Sequence, residues 1–199
     1  MSGFESITSP VAPPAASRRA VLSSRAWRPL SVLAAVVVLF AGSPSARASE
    51  GRPAALRVPA GYKLAFSAQA RGVQIYTSVA DAGAAPRWVL EAPLAELAGP
   101  RGAIHHYAGP SWEAVDGSKI ERDPGTPVVT VPAGHPAADI PWLLVKVTAE
   151  PAAGVLSRIG FVERVSTRGG VAPGMPPVRA GTKVGVPYRA AYRFYVKAN

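Results

Sequence analysis

Proline and glycine interrupt this chain almost everywhere, at 21 and 19 of its 199 residues, and leave little room for a long helix. The runs between them are short and rich in Val, Ile, Tyr and Trp, which suit a pleated, half-buried surface. Several alternate with a period of two. In GVQIYTS (72–78), Val73, Ile75 and Thr77 share one side and Gln74, Tyr76 and Ser78 the other. In PWLLVKVTAE (141–150), Leu143, Val145 and Val147 form an apolar side. In SRIGFVERV (157–165), Ile159, Phe161 and Val165 oppose Arg158, Gly160, Val162 and Arg164, and Glu163 interrupts the apolar side. In YRAAYRFYVK (188–197), Tyr192, Phe194 and Val196 oppose Arg193, Tyr195 and Lys197. Further strands are expected at 63–68, 87–91, 104–107 and 128–131. Only APLAELAG (92–99) offers a turn or two of helix, and 169–187 reads as a long surface loop. Parallel strands need intervening helices that are missing here. The pattern therefore predicts a single all-β domain, a mainly antiparallel β-sandwich with long Gly/Pro-rich loops.

The amino-terminal stretch reads as an address. Arg18, Arg19, Arg25 and Arg28 precede an uncharged run, LSVLAAVVVLFA (30–41), and then Ala46-Arg47-Ala48. Twelve apolar residues suit a signal peptide, whereas a membrane span needs about 20. Residues 1–48 are the expected signal peptide, cut after Ala48. SRRAVLS (17–23) resembles a twin-arginine signal, but the pair lies far from the apolar run, which favours general secretion. Residues 49–57 read as a flexible leader and 58–199 as the domain. The expected product is periplasmic or extracellular, with no membrane span after cleavage. It keeps 151 residues, enough to bury about 70% of the unfolded surface without staples. There is no cysteine, which excludes disulfides, thiolate metal sites and a cysteine nucleophile.

After cleavage 17 basic and 11 acidic side chains remain, a net +6, scattered singly. A nucleic-acid footprint would cluster them, so no nucleic acid is expected. The partner classes left are a small molecule or an anionic envelope polymer. No dinucleotide fingerprint, phosphate loop or nucleophile elbow occurs, and no cofactor is expected.

HHYAGPSWEAVDGSKI (105–120) holds the densest set of chemical groups. Asp116-Gly117 predicts a two-residue type I′ hairpin turn. That turn would set Glu113 opposite Ile120 and Trp112 opposite Glu121, so Glu113 would lean toward the core. Alternation sets His106 on the side of Ile104 and His105 on the other, so the two histidines cannot chelate one ion. His135 lies in a separate loop, and no metal site is expected. RVSTRGG (164–170) ends a strand, and its successive N–H groups suit either a plain turn or an anion cradle.

Five stretches, GVQIYTS, HYAGPSWEAVDGSKI, IPWLLVKV, RVSTRGGVAPG and VPYRAAYRFY, fall in one order between residues 72 and 195. Together they resemble Domain of Unknown Function family 3455, a group of secreted bacterial and fungal proteins. The resemblance implies an exported protein and says little about activity. It also implies cysteine in relatives where Ser78 stands and near Met175. A disulfide joining those two cysteines would be lost whole in this chain. The leading expectation is a non-catalytic envelope or extracellular binding module, with His106, Trp112, Glu113 and Gln74 as ligand contacts. The alternative is a small secreted hydrolase or lyase using His106 and Glu113 as an acid–base pair.

Overall fold

The structure, a computed structural model, describes residues 52–199. The expected signal peptide and its cleavage site lie outside the described residues. Nine strands follow one another: β1 (Tyr62–Val79), β2 (Arg87–Gly99), β3 (Gly102–Tyr107), β4 (Ser111–Ala114), β5 (Lys119–Arg122), β6 (Val129–Val131), β7 (Trp142–Ala149), β8 (Ile159–Gly169) and β9 (Lys183–Lys197). All pairings between strands are antiparallel. The all-β, antiparallel expectation holds.

The sandwich does not. The order β5-β4-β3-β2-β1-β9-β8-β7 returns on itself, because β5 also pairs β7 through Ile120↔Ala149, Glu121↔Thr148 and Arg122↔Val147. Eight strands therefore form one closed barrel, and β6 lies on the free first half of β7. Two long strands make closure possible. β1 runs 18 residues and β9 runs 15, and bulges at Leu64/Phe66, Ile75/Tyr76, Ile159/Phe161 and Val165/Arg168 bend the ladders. An eight-stranded barrel encloses a space that side chains just fill, or that holds one small ligand.

The expected helix at 92–99 is instead part of β2, with Ala95 and Leu97 buried and Leu94 exposed. Alternation toward the interior outweighs the helix propensity of Ala and Leu. Pro93 fits because the β2–β3 ladder begins only at Ala95, leaving β2 a single neighbour there. Pro187 fits the same way: β9 meets β8 only from Tyr188 onward. The expected loop is thereby shortened to residues 170–182.

The interior is graded along its axis. The inward series of β9 is Tyr188, Ala190, Tyr192 and Phe194. At the Phe194 end, Ile159, Ile120 and Leu156 complete an apolar floor. The β7–β8 connection plugs that end: Leu156 is fully buried and donates its N–H to Ser118 Oγ, while Val155 donates to Asp116 Oδ2. The opposite end, where the β3–β4 turn and residues 170–182 lie, carries the polar groups.

A second, smaller core covers the outer face of β8. Phe161 and Val165 pack there with Leu144, Tyr195 and Leu56. The sequence suggested a flexible leader through residue 57. Among the described residues, Ala54–Leu56 instead forms one 3-10 turn and Leu56 is fully buried. Glu163, also fully buried, pairs with Arg52 Nε at 2.8 Å and Arg193 at 3.5 Å, and accepts the Tyr195 hydroxyl at 2.8 Å. The interruption that Glu163 makes in the apolar pattern is thus a buried charge with two arginines and a tyrosine around it. Among the described residues no helix is long and apolar enough to cross a membrane.

Candidate functional site in the barrel mouth

The position of every candidate near residue 110 follows from one turn. Ala114 donates its N–H to Ser118 O at 2.9 Å, and Gly117 alone has positive φ (80°), so the connection has three residues, 115–117. This is a turn closed by a left-handed glycine, not the two-residue type I′ turn expected, which needs positive φ at Asp116 as well. The register shifts by one: Glu113 faces Lys119, and Trp112 faces Ile120. A one-residue shift sends each side chain to the other face. Trp112 therefore points into the barrel and Glu113 out of it. Asp116 does serve the turn, accepting from Ser118 N and Oγ.

His106 lies inside, as alternation from Ile104 required, and opposite Trp112. Glu113 is opposite His105 on the outer face and accepts the Tyr107 hydroxyl at 2.8 Å. The expected His106–Glu113 pair does not exist. A barrel wall separates the two side chains, which removes the acid–base arrangement on which the hydrolase or lyase alternative rested. His105 is exposed, with Nδ1 2.5 Å from Glu96.

The other three candidates converge. Gln74 on β1, His106 on β3 and Trp112 on β4 line one cavity of about 100 Å³ at the barrel mouth, with Arg164 on β8 and Tyr192 on β9. Across the ladder His106↔Ala95↔Gly72↔Tyr188 the two middle positions are small. Gly72 cannot be larger, since an added Cβ would sit 2.2 Å from Leu94 O and 2.4 Å from Ala95 Cβ. Apolar side chains, Leu90, Leu143, Val145 and Val162 among them, make up most of the remaining wall.

The hydrogen bonds of the polar groups are incomplete. Gln74 is 2% exposed and its Nε2 has no partner; Trp112 is 2% exposed and its Nε1 has none. An orphaned buried donor costs about 1–3 kcal/mol. Two orphans on one cavity wall are therefore a sign of a missing acceptor rather than an accident of packing. His106 donates from Nδ1–H to Ser111 O at 2.9 Å, which leaves Nε2 as an acceptor. Its ring stacks on the indole of Trp112 and meets Tyr192 edge-on. Burial, with the Arg164 charge adding to it and the Ser111 bond opposing it, lowers the His106 pKa to about 4, so the imidazole is neutral near pH 7.

Arg164 escaped the sequence reading, which set it beside Val162 on the polar side of β8. The ring closes around that side, so Val162 and Arg164 face the interior instead. Arg164 is 8% exposed, and its guanidinium donates through Nε and Nη2 to Pro141 O, at 3.3 and 2.9 Å. Among the described residues no carboxylate lies within ion-pair distance of it. Arg122 is similar: it shares the inward side of β5 with Ile120, and its Nε is buried without a partner. Tyr188 and Tyr192 share a hydroxyl–hydroxyl contact of 3.2 Å, and burial raises the Tyr188 pKa.

The expected alternative of an anion cradle at RVSTRGG is filled by the chain itself. Asp139 accepts the Gly169 N–H at 2.7 Å and pairs with Arg168 at 3.2 Å. Among the described residues no group of three His, Asp or Glu side chains converges as metal ligands would.

A family model described as "Protein of unknown function (DUF3455)" matches residues 59–196. The chain belongs to the DUF3455 family. The match runs from just before β1 almost to the end of β9, so it covers the barrel and every residue of the cavity. No curated protein and no solved structure matches the chain. In this DUF3455 chain, hydrogen bonds fasten residues 170–182 near the places where the resemblance implied cysteines in relatives. Ser78 Oγ donates to Arg179 O at 2.6 Å and accepts the Thr182 N–H at 2.9 Å. Trp88, the ladder partner of Ser78, donates to Met175 O at 3.0 Å.

Proposed function

We propose that this DUF3455 protein is an exported, non-catalytic binding protein that takes a small molecule into the mouth of its barrel. One observation carries the reading: Gln74 and Trp112 line the same cavity, and Gln74 Nε2 and Trp112 Nε1 are buried without a partner. Binding would supply the acceptors they lack. The size of the cavity favours a small ligand over an envelope polymer. At about 100 Å³ it is well short of the roughly 300 Å³ at which drug-sized pockets begin. A dry cavity of about 150 Å³ takes one benzene, so the ligand has only a handful of heavy atoms. Export rests on the order of basic region, apolar run and Ala46-Arg47-Ala48.

A thermal-shift screen of small organic acids, amides and alcohols against the protein tests the binding reading. A ligand at a hundredfold excess over its dissociation constant stabilises the fold by about 2.7 kcal/mol. Gln74→Leu and Trp112→Phe should each abolish the response. Gln74→Leu, similar in size, should raise or preserve the melting temperature of the free protein because it removes an orphaned donor, whereas Trp112→Phe also empties part of the core. Loss of stability in both free variants, with no ligand found for the parent, would show that the two groups serve packing alone.

A further inference from the structure

The chemistry of the mouth narrows the ligand class, on the premise that the mouth is a binding site. The orphaned buried atoms of its residues are donors, while His106 Nε2, left free by the Ser111 bond, is an acceptor. Gln74 Nε2 and Trp112 Nε1 can only donate, and the Arg164 guanidinium has donors to spare beyond the two it gives to Pro141 O. No Asp or Glu is among the residues of the wall. A buried guanidinium without a counter-charge is costly, and an anion beside it offsets that cost. The Arg164 charge would repel a cationic ligand there.

The rest of the wall decides between an inorganic and an organic anion. Leu90, Pro93, Leu143, Val145 and Val162 give a phosphate or sulfate nothing to bond, and would strip it of water on those sides. An organic acid presents an oxyanion to the donors and an apolar body to these side chains. The neutral state of His106 also suits this arrangement, since it adds no second charge to the cavity. We propose that the barrel mouth selects small aliphatic monocarboxylates, the carboxylate held by Arg164, Gln74 Nε2 and Trp112 Nε1 and the hydrocarbon body by the wall of β7 and β8.

Calorimetric titration at neutral pH with the series acetate to hexanoate, the matching amides acetamide to hexanamide, and inorganic phosphate tests this. One or more of the acids should bind saturably, roughly tenfold or more tightly than the amide of the same skeleton and than phosphate, because only the acid has both the charge and the apolar body. Arg164→Met should erase the preference for acid over amide. Arg164→Lys, which keeps the charge, should retain part of it and guards against a failure of the Met variant to fold. Equal binding of acids and amides would overturn the anion assignment and leave the mouth as a binding site. Phosphate binding as tightly as the best acid would overturn the organic part. The proposal also falls if no acid binds, and a neutral ligand from the broader screen would then still uphold the binding site.

Discussion

The imidazole of His106 lies flat on the indole of Trp112, with ring centroids 4.5 Å apart and planes 6° from parallel. The two rings face each other across the β3–β4 ladder, deep in the wall of the mouth. A protonated His106 there would be charged, desolvated and in the field of Arg164.

Acid should therefore weaken the fold in a defined window. Around His106, Tyr192 packs edge-on against the ring and the Arg164 charge opposes a proton on it. The unfolded chain takes up a proton at the ordinary value of 6.5, whereas the folded protein holds none on His106 until about pH 4. This contribution is complete above pH 6.5 and is lost as the pH falls toward 4. Over that span it is worth about 3 kcal/mol. Urea unfolding at several pH values should show the slope, and His106→Phe, which keeps a ring on Trp112, should flatten it. An unchanged slope in the variant would assign the acid sensitivity to other groups.

The β4–β5 turn tests the register that puts Trp112 inside. Gly117→Ala forces a side chain into a positive-φ position with open space around it, so its cost is conformational, about 1–2 kcal/mol. Asp116→Ala should lower the melting temperature as well, since Asp116 ties the turn to Ser118 and Val155. Neither change should alter ligand affinity. A strong effect of Asp116→Ala on binding at unchanged stability would contradict its placement at the far end of the barrel.

Much of the fold was legible in the sequence, and the part that was not has a physical reason. Alternation placed Leu143, Val145 and Val147 on one side, and His106 with Ile104, because a strand's period is a local property. Closure of the ring is not local. Nothing near Ile120 announces that Ala149 will be its neighbour, so sandwich and barrel looked alike. Closure also decides which side is inside: Gln74, Tyr76 and Ser78, the more polar side of their strand, face in. The site was half legible for the same reason. Gln74, His106 and Trp112 were expected and do meet, while Glu113 was lost to a turn one residue longer than Asp-Gly suggested. Arg164 could have been found only by doubting that a charged side chain marks the outer face.

On the outer face, Glu113→Gln and His105→Ala should leave ligand binding within twofold of the parent, on the order of the ordinary scatter of surface changes. Isothermal titration of both variants with the acid that binds the parent checks this. Loss of binding in Glu113→Gln would restore the acidic partner that the geometry excludes.

The segment before β1 should behave as part of the domain. Leu56→Ala empties a fully buried site in the second core and should cost about 2–5 kcal/mol in urea or thermal unfolding. A cost near zero would mean that residues 52–58 leave the barrel in solution.

The most direct test of the mouth as a binding site is nuclear magnetic resonance of the nitrogen-15-labelled protein during titration with butyrate and, separately, butyramide. The side-chain amide of Gln74 and the indole N–H of Trp112, assigned with the Leu and Phe variants, report on the two orphaned donors. The account predicts that both signals move together, saturably and with one dissociation constant, for at least one of the two compounds. Saturable binding that shifts signals elsewhere while these two stay fixed, or no movement of either with both compounds, would contradict it.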